Sequence, residues 1–283
     1  MESHFAHTAA VIGLGLMGGS FAARLTELGA RVIGWNRTKS ISREALARGL
    51  IASDREEDLR EADIVIFCTP EEATLAFLRD RAGLLSPQAV LTDIAGVKNG
   101  FSEKLRAVLP PGMVFVSGHP MCGREGEGLA QADPSIFDGA NYILIRDGQE
   151  NREAEALLTE MARALGCTAV PAVTEEEHDR AVAYTSDLTH VIAASLMNSI
   201  SFTEDTKYFT GGSFRDETRV ADINSRLWTS LFLSNKEKLL EEITRFQRAL
   251  EEIRSSIEKE DREEIGRFLD RAGERKRRLT HGS

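Results

Sequence analysis
Gly13-Leu-Gly15-Leu-Met-Gly18-Gly19-Ser20 begins at the end of an apolar run, Thr8–Leu14, and leads directly into a helical stretch, Phe21–Leu28. Glycines at this spacing between a first strand and a first helix admit few architectures, because each has its own steric task. Gly13 permits the tight turn, Gly15 lets a pyrophosphate approach the backbone, and Gly18 allows close packing of helix on strand. The positive end of the helix then faces the phosphates. The contacts expected for a bound dinucleotide are Gly13, Gly15, Leu16, Met17 and Gly18, joined by Thr69 and Pro70 past the third strand. A merely glycine-rich turn is the bland alternative, and the flanking strand and helix weigh against it.

The rest of the first half supports that frame. Short apolar runs at Arg31–Trp35, Asp63–Cys68, Ala89–Ile94, Met113–Ser117, Ala140–Arg146 and Cys167–Val173 read as further strands. Between them, Glu71–Leu85, Gly100–Leu109 and Asn151–Leu165 carry apolar residues at helical spacing. Strand and helix in alternation predict an α/β Rossmann domain, a doubly wound and mainly parallel sheet, over residues 1–173. After Pro171 the β-type runs stop. Thr174-Glu-Glu-Glu177 predicts the capped start of an all-α C-terminal domain over residues 174–283. Its last part, Asn235 to about Arg278, mixes Leu, Ile and Phe at three- and four-residue intervals with dense charge. A helix of that kind needs a covering surface, either its own domain or a second copy in a homodimer. Leu279–Ser283 reads as a disordered tail.

Composition removes several classes of function. The chain has 283 residues and a formal charge of -10, so neither nucleic acid nor an anionic membrane is an expected partner. Cys68, Cys122 and Cys167 fit neither a zinc site nor a disulfide framework. The first residues lack a signal peptide and no run is long enough to span a bilayer, so a soluble cytoplasmic protein is expected.

The end of the second strand bears on the choice of cofactor. NAD enzymes usually carry Asp or Glu there to hold the ribose 2′-hydroxyl, whereas this chain has Asn36-Arg37-Thr38. With no carboxylate to repel a 2′-phosphate, and with a guanidinium and a hydroxyl to bind it, the segment favours NADP. The alternative is NAD, with Asn36 on the ribose and Arg37 solvated.

Six histidines occur, and His4, His7 and His281 lie near the termini. Of His119, His178 and His190, the strongest candidate is His119, in Ser117-Gly-His-Pro-Met-Cys-Gly123, just past the carboxyl end of a predicted strand. An imidazole there can take a proton from a substrate hydroxyl while hydride leaves. A structural histidine fixing a glycine-rich loop is the competing reading.

Taken together, several segments resemble the prephenate and arogenate dehydrogenase family along almost the whole chain. They are the Gly13–Gly18 loop, Asp93-Ile-Ala-Gly-Val-Lys98, Gly118-His-Pro-Met-Cys-Gly123 with Glu125, His178-Asp179, and Ser186-Asp-Leu-Thr-His190. Gly211-Gly-Ser-Phe-Arg-Asp-Glu-Thr-Arg219 and Trp228 followed by Asn235 complete the set. The resemblance implies that His119 accepts the proton of the C4 hydroxyl, that Arg219 binds a substrate carboxylate, and that His190 faces the substrate from the helical domain. It also implies that Arg215 and Trp228 line the pocket and that Glu125 stands near its mouth. The implied reaction is oxidative decarboxylation of prephenate to 4-hydroxyphenylpyruvate, a step of tyrosine biosynthesis, with arogenate as the alternative substrate. On their own, Arg215, Asp216, Glu217 and Arg219 read equally well as surface charges pairing with one another.

Two positions depart from that pattern. Many members have serine where this chain has Gly96, placed to support the histidine and touch the substrate oxygen; here a water or backbone groups must take over the support. Asp187 replaces a histidine common in the family. Facing the pocket, it would receive the ammonium of arogenate; facing solvent or capping a neighbour, the favoured reading, it says nothing about substrate. A β-hydroxyacid dehydrogenase of the 3-hydroxyisobutyrate type shares the glycine loop and Asn-Arg-Thr. However, it needs a lysine in the first long helix of the second domain, and residues 178–201 contain none. A non-catalytic NADP sensor would keep the glycines and need neither His119 nor Arg219. No segment outside the two domains has room for a mutase or regulatory module, so a monofunctional enzyme is expected.

Overall fold
The computed structural model of the chain describes residues 4–124, 126–148 and 151–281. The first half alternates β1 (Thr8–Ile12), α1 (Leu16–Glu27), β2 (Arg31–Trp35), α2 (Lys39–Ala47), β3 (Ile64–Phe67), α3 (Glu71–Arg81), β4 (Val90–Asp93), α4 (Phe101–Arg106) and β5 (Val114–Phe115). All five strands are parallel, in the order β2-β1-β3-β4-β5. The chain therefore reverses direction across the sheet between β1 and β3, and the crevice above their carboxyl ends lies between Gly13 and Thr69. Burial explains why these runs are almost wholly apolar. Every residue of β3, and Ala9–Ile12 of β1, is inaccessible because helices cover both faces of the sheet. From α1, Phe21 and Leu25 enter the same core, each contributing about 2 kcal/mol of burial.

The remaining strands differ from the expected pattern. β6 (Gly118–Pro120), β7 (Tyr142–Arg146) and β8 (Ala172–Thr174) form a separate three-stranded sheet, with β6 antiparallel to β7 and β7 parallel to β8. The expected strand Met113–Ser117 keeps ladder pairing only at Val114 and Phe115. Past them, the Val116 amide donates to Leu91 and the Ser117 carbonyl accepts from Ile145, so the chain crosses from one sheet to the other. Cys167–Val173 is likewise mostly irregular, with one bridge at Ala169 before β8. Helix α5 (Arg152–Leu165) lies between β7 and β8, capped by the Asn151 side chain on the Ala154 amide and ended by left-handed Gly166.

Thr174 opens the helical half as expected, through a capping box with Glu177. There follow α6 (Glu175–Val182), a π-turn over Ala183–Asp187, α7 (Leu188–Met197), α8 (Gly212–Thr218), α9 (Ser225–Ser234), α10 (Lys236–Glu258) and α11 (Arg262–His281). The stretch from Asn235 to Arg278 is not one helix. It breaks at Glu260, which takes a left-handed conformation, and α11 folds back so that Arg271 pairs with Glu252. Nor is Leu279 the start of a loose tail, because α11 continues through His281.

Candidate active site
The glycine loop has the geometry its spacing predicts. Gly13 has φ of 96°, a Cβ on Gly18 would lie 1.8 Å from the Gly13 carbonyl oxygen, and a Cβ on Gly15 would meet nothing within 4 Å. Side chains are thus excluded at Gly13 and Gly18 by the turn and the helix packing, whereas Gly15 opens onto free space. Gly15 is also the N-cap of α1 and offers no side-chain cap, so the first amide groups at Leu16, Met17 and Gly18 are left for a ligand. Thr69 packs against Gly13, and Pro70 caps α3, on the other side of the crevice. This cradle fits a pyrophosphate.

Asn36 braces the loop from β2. Its side-chain oxygen accepts the Leu14 amide at 3.0 Å and its amide group donates to the Thr38 carbonyl at 3.3 Å. Arg37 is exposed and has no partner among the described residues, and the Thr38 hydroxyl caps nothing.

Beyond the sheet's carboxyl end, β6 presents His119, half-buried. Its Nδ1 lies 2.8 Å from Nε2 of His178 on α6, and Nδ1 of His178 lies 2.8 Å from the Asp179 carboxylate. The other edge of His119 faces Gly96 of the β4–α4 loop, where a Cβ would sit 3.8 Å from Nε2 and 3.6 Å from Leu231 of α9. Burial holds the His119 pKa well below the ordinary histidine value, and the positive charge of Lys98 pushes it the same way. His119 is therefore a neutral imidazole with a ring nitrogen at a gap between the two halves. On the edge away from Gly96, at Nδ1, the ring is supported by a side chain, His178.

Around this pair lies a network that fixes the loop. Buried Lys98 bonds Asp93 at 2.8 Å and the Gly118 carbonyl at 2.7 Å, while Ser117 donates to the same carboxylate at 2.6 Å. Asp179 accepts the Lys98 and Asn99 amides at 2.9 and 2.8 Å. Burial raises its pKa, but the bonds from His178, Asn99 and Lys98 outweigh burial and leave it lowered overall. Asn235 donates to the Asp179 carbonyl and to Asp187, both at 2.9 Å. Asp187 thus does not face solvent: it is 1% exposed and its carboxyl accepts from Asn235.

The helical half adds an aromatic wall. His190 on α7 stacks on Trp228 of α9 with ring centroids 3.5 Å apart, and Trp228 packs against Phe232 at 5.5 Å. Trp228, Leu231 and Phe232 share one face of α9, so the face that stacks on His190 also reaches Gly96, which His119 borders on its other side. Arg215 on α8 and Arg219 in the turn after it are exposed, four residues apart, on a segment packed against α7. Glu125 lies outside the described residues. His178 is the functional residue that sequence reasoning left without a role. Its neighbour Asp179 was the available signal, but contact with His119 crosses 59 positions and only the fold creates it.

Two family models match the chain, the prephenate dehydrogenase nucleotide-binding domain over residues 21–170 and the prephenate dehydrogenase dimerization domain over residues 174–271. The chain belongs to the prephenate dehydrogenase family. It is 32% identical over 276 residues to prephenate dehydrogenase of Bacillus subtilis, covering 94% of this chain and 74% of that one. The structure of Aquifex aeolicus prephenate dehydrogenase with hydroxyphenyl propionate and NAD+ superposes with a TM-score of 0.85 at 26% identity, over 98% of this chain and 99% of that chain. Arogenate dehydrogenase of Synechocystis superposes at 0.81 with 29% identity, over 95% and 99%. The family member described here is accordingly a nicotinamide-dinucleotide-dependent oxidoreductase with a nucleotide-binding first half. No helix among its described residues is long and apolar enough to cross a membrane.

Proposed function
We propose that this dehydrogenase oxidatively decarboxylates prephenate to 4-hydroxyphenylpyruvate, with NADP as its preferred cofactor. The observation that carries the reading is His119: a neutral imidazole beyond the carboxyl end of the sheet, tied at Nδ1 and turned at Nε2 toward the gap beneath α9. In this reading Nε2 takes the proton of the C4 hydroxyl as the carbinol carbon becomes a ketone. The ring carboxylate then leaves as CO2, its bonding electrons pass through the ring to the C4 oxygen, and His119 returns the proton to the phenol. The dinucleotide, when bound, supplies the hydride acceptor. Arg219 and Arg215 hold the anionic substrate in an otherwise acidic protein, His190 and Trp228 line the pocket, Gly96 leaves room beside the base, and Glu125 stands at its mouth.

Gly13, Gly15, Leu16, Met17 and Gly18 would hold the pyrophosphate, with Thr69 and Pro70 opposite. Asn36 is engaged by Leu14 and Thr38, whereas the Arg37 guanidinium and the Thr38 hydroxyl, without partners among the described residues, suit a 2′-phosphate, which favours NADP over NAD. Residues 1–173 form the dinucleotide-binding unit in this reading. Residues 174–283 form the unit that completes the substrate pocket and pairs two copies into a homodimer. The bond of Asp187 to Asn235 supports prephenate over arogenate in this reading.

Prephenate and arogenate offered separately with NADP and NAD, followed by absorbance of the reduced nicotinamide and chromatography of the aromatic product, test the proposal. Fastest reduction is expected with prephenate and NADP. No reduction in any pairing by folded, dinucleotide-binding protein would overturn it.

A further inference from the structure
Several polar residues are given no chemical task by the proposed reaction: Asp93, Lys98, His178, Asp179, Asp187 and Asn235. The fold gathers all of them into one buried polar network behind His119. Hydrogen-bond donors and acceptors in this network leave little freedom. The Asp179 carboxylate only accepts, and it already takes the Lys98 and Asn99 amides, so His178 must carry its proton on Nδ1. A neutral His178 then presents a bare Nε2, and the only hydrogen that fits a 2.8 Å contact with His119 is one on His119 Nδ1. That leaves the lone pair of His119 on Nε2, facing Gly96.

We infer that His178 and Asp179 are positioning residues that select the base-competent tautomer of His119. The inference rests on the reading of His119 as the base. Without His178, a neutral imidazole divides between two tautomers, and the one with hydrogen on Nε2 accepts no proton from a substrate. A proton added to His178 has the same effect, because Nε2–H of His178 would then donate to His119 Nδ1 and force hydrogen onto the other edge. The remaining charged groups near the pair sit on separate elements: Lys98 on the β4–α4 loop, paired with Asp93 at the end of β4, and Asp187 behind Asn235. When His119 becomes cationic during the reaction, its Nδ1–H···Nε2 bond and the Nδ1–H···carboxylate bond beyond it orient a dipole and a full negative charge toward the new positive one. No proton has to move along the chain for this to help.

Two measurements test the inference. Long-range nitrogen–proton correlation spectra of the labelled wild-type protein read the tautomers directly and need no substrate. The expected result is hydrogen on Nδ1 of both His119 and His178; hydrogen on Nε2 of His119 overturns the inference. Kinetics with the best substrate then compare His178→Leu with His178→Gln, whose side-chain oxygen still accepts from His119 Nδ1. The leucine variant is expected to lose about a hundredfold in kcat with little change in KM or dinucleotide affinity, and the glutamine variant to recover at least about tenfold of that. A leucine variant that melts like wild type and keeps its kcat would overturn the inference. Should the wild type reduce no dinucleotide while the spectra show the expected tautomers, the functional reading fails and the positioning of His119 stands.

Discussion
The two halves of the molecule are built on opposite terms. In the sheet-bearing half, α1 alone buries eight of its twelve residues, and two apolar clusters fill the space above and below β1–β5. In the helical half, α8 and α9 bury none, and α10 buries Leu239 and Glu242 in twenty-three residues. Ile200, Phe209 and Leu233 are 100%, 85% and 66% exposed, which is costly for large apolar side chains left in water. The first half therefore holds itself together around its sheet and anchors the strand that carries His119, through Lys98 on the Gly118 carbonyl and on Asp93. The second contributes the proposed pocket residues from helices that a single copy does not cover.

The largest effect should come from breaking the second half at the proposed copy-to-copy surface. Leu250 and Ile257 lie two turns apart on one face of α10, half exposed. Replacing both with Lys removes roughly 2 kcal/mol of burial per side chain on each copy and sets like charges against one another. Sedimentation is expected to show monomers, with a lower melting temperature. A dimer that persists would mean that α10 packs elsewhere.

Next in size is the lesion in the first half. His119→Asn should lower kcat by about a hundredfold or more, because a positioned base contributes at least that much, while dinucleotide binding measured by fluorescence stays unchanged. Unchanged turnover would move the chemistry away from β6. Activity should also fall as pH drops through the His119 pKa, and because that pKa is depressed, the acid limb should lie below the ordinary histidine range.

What was readable in advance divides along the same line. The glycine loop, the order of strands and helices and the carboxyl-end position of His119 follow from local spacing, and local spacing sets that half. The short antiparallel β6 was hidden because Gly118-His-Pro120 carries almost no strand signal; its pairing with β7 comes from the chain crossing between sheets. Asp187 misled for a different reason. A regular helix would turn it outward, but the π-turn over Ala183–Asp187 adds residues to one turn, shifts the phase and brings its carboxyl inward to Asn235. Nothing in a period of three to four residues announces such a turn.

Asp187 also provides the next test. Burial raises its pKa to about 6; the Asn235 bond opposes the rise and the Asp179 charge adds to it. A carboxyl raised in the folded state favours folding when protonated, so this contribution is present below its unfolded pKa and is lost as pH rises through about 6. Between about pH 4 and pH 8 the loss amounts to about 3 kcal/mol. Asp187→Asn removes the titration, so urea midpoints should show the variant gaining on wild type as pH rises. A pH-independent difference would place the carboxyl in water. Arg219→Ala should act more weakly and only on the pocket, raising KM roughly tenfold at unchanged kcat, as expected when one charged contact to a substrate carboxylate is removed.

The smallest effect is expected where the halves meet, at Gly96→Ser. The backbone there is not left-handed, and a Cβ would stand 3.6 Å from Leu231 and 3.8 Å from His119 Nε2, ordinary contact distances. The fold should accept it. Because His178 already holds Nδ1, the new hydroxyl acts only on the Nε2 side, where the substrate oxygen must also sit. Bonding that oxygen, it would assist; bonding Nε2, it would compete with the proton that the base must take. The two roles oppose one another, so kcat should change by no more than about fivefold in either direction, a difference of roughly 1 kcal/mol. A loss as deep as that of His119→Asn would show that the gap has to stay empty, and that the helical half closes on the base more tightly than its sparse packing implies.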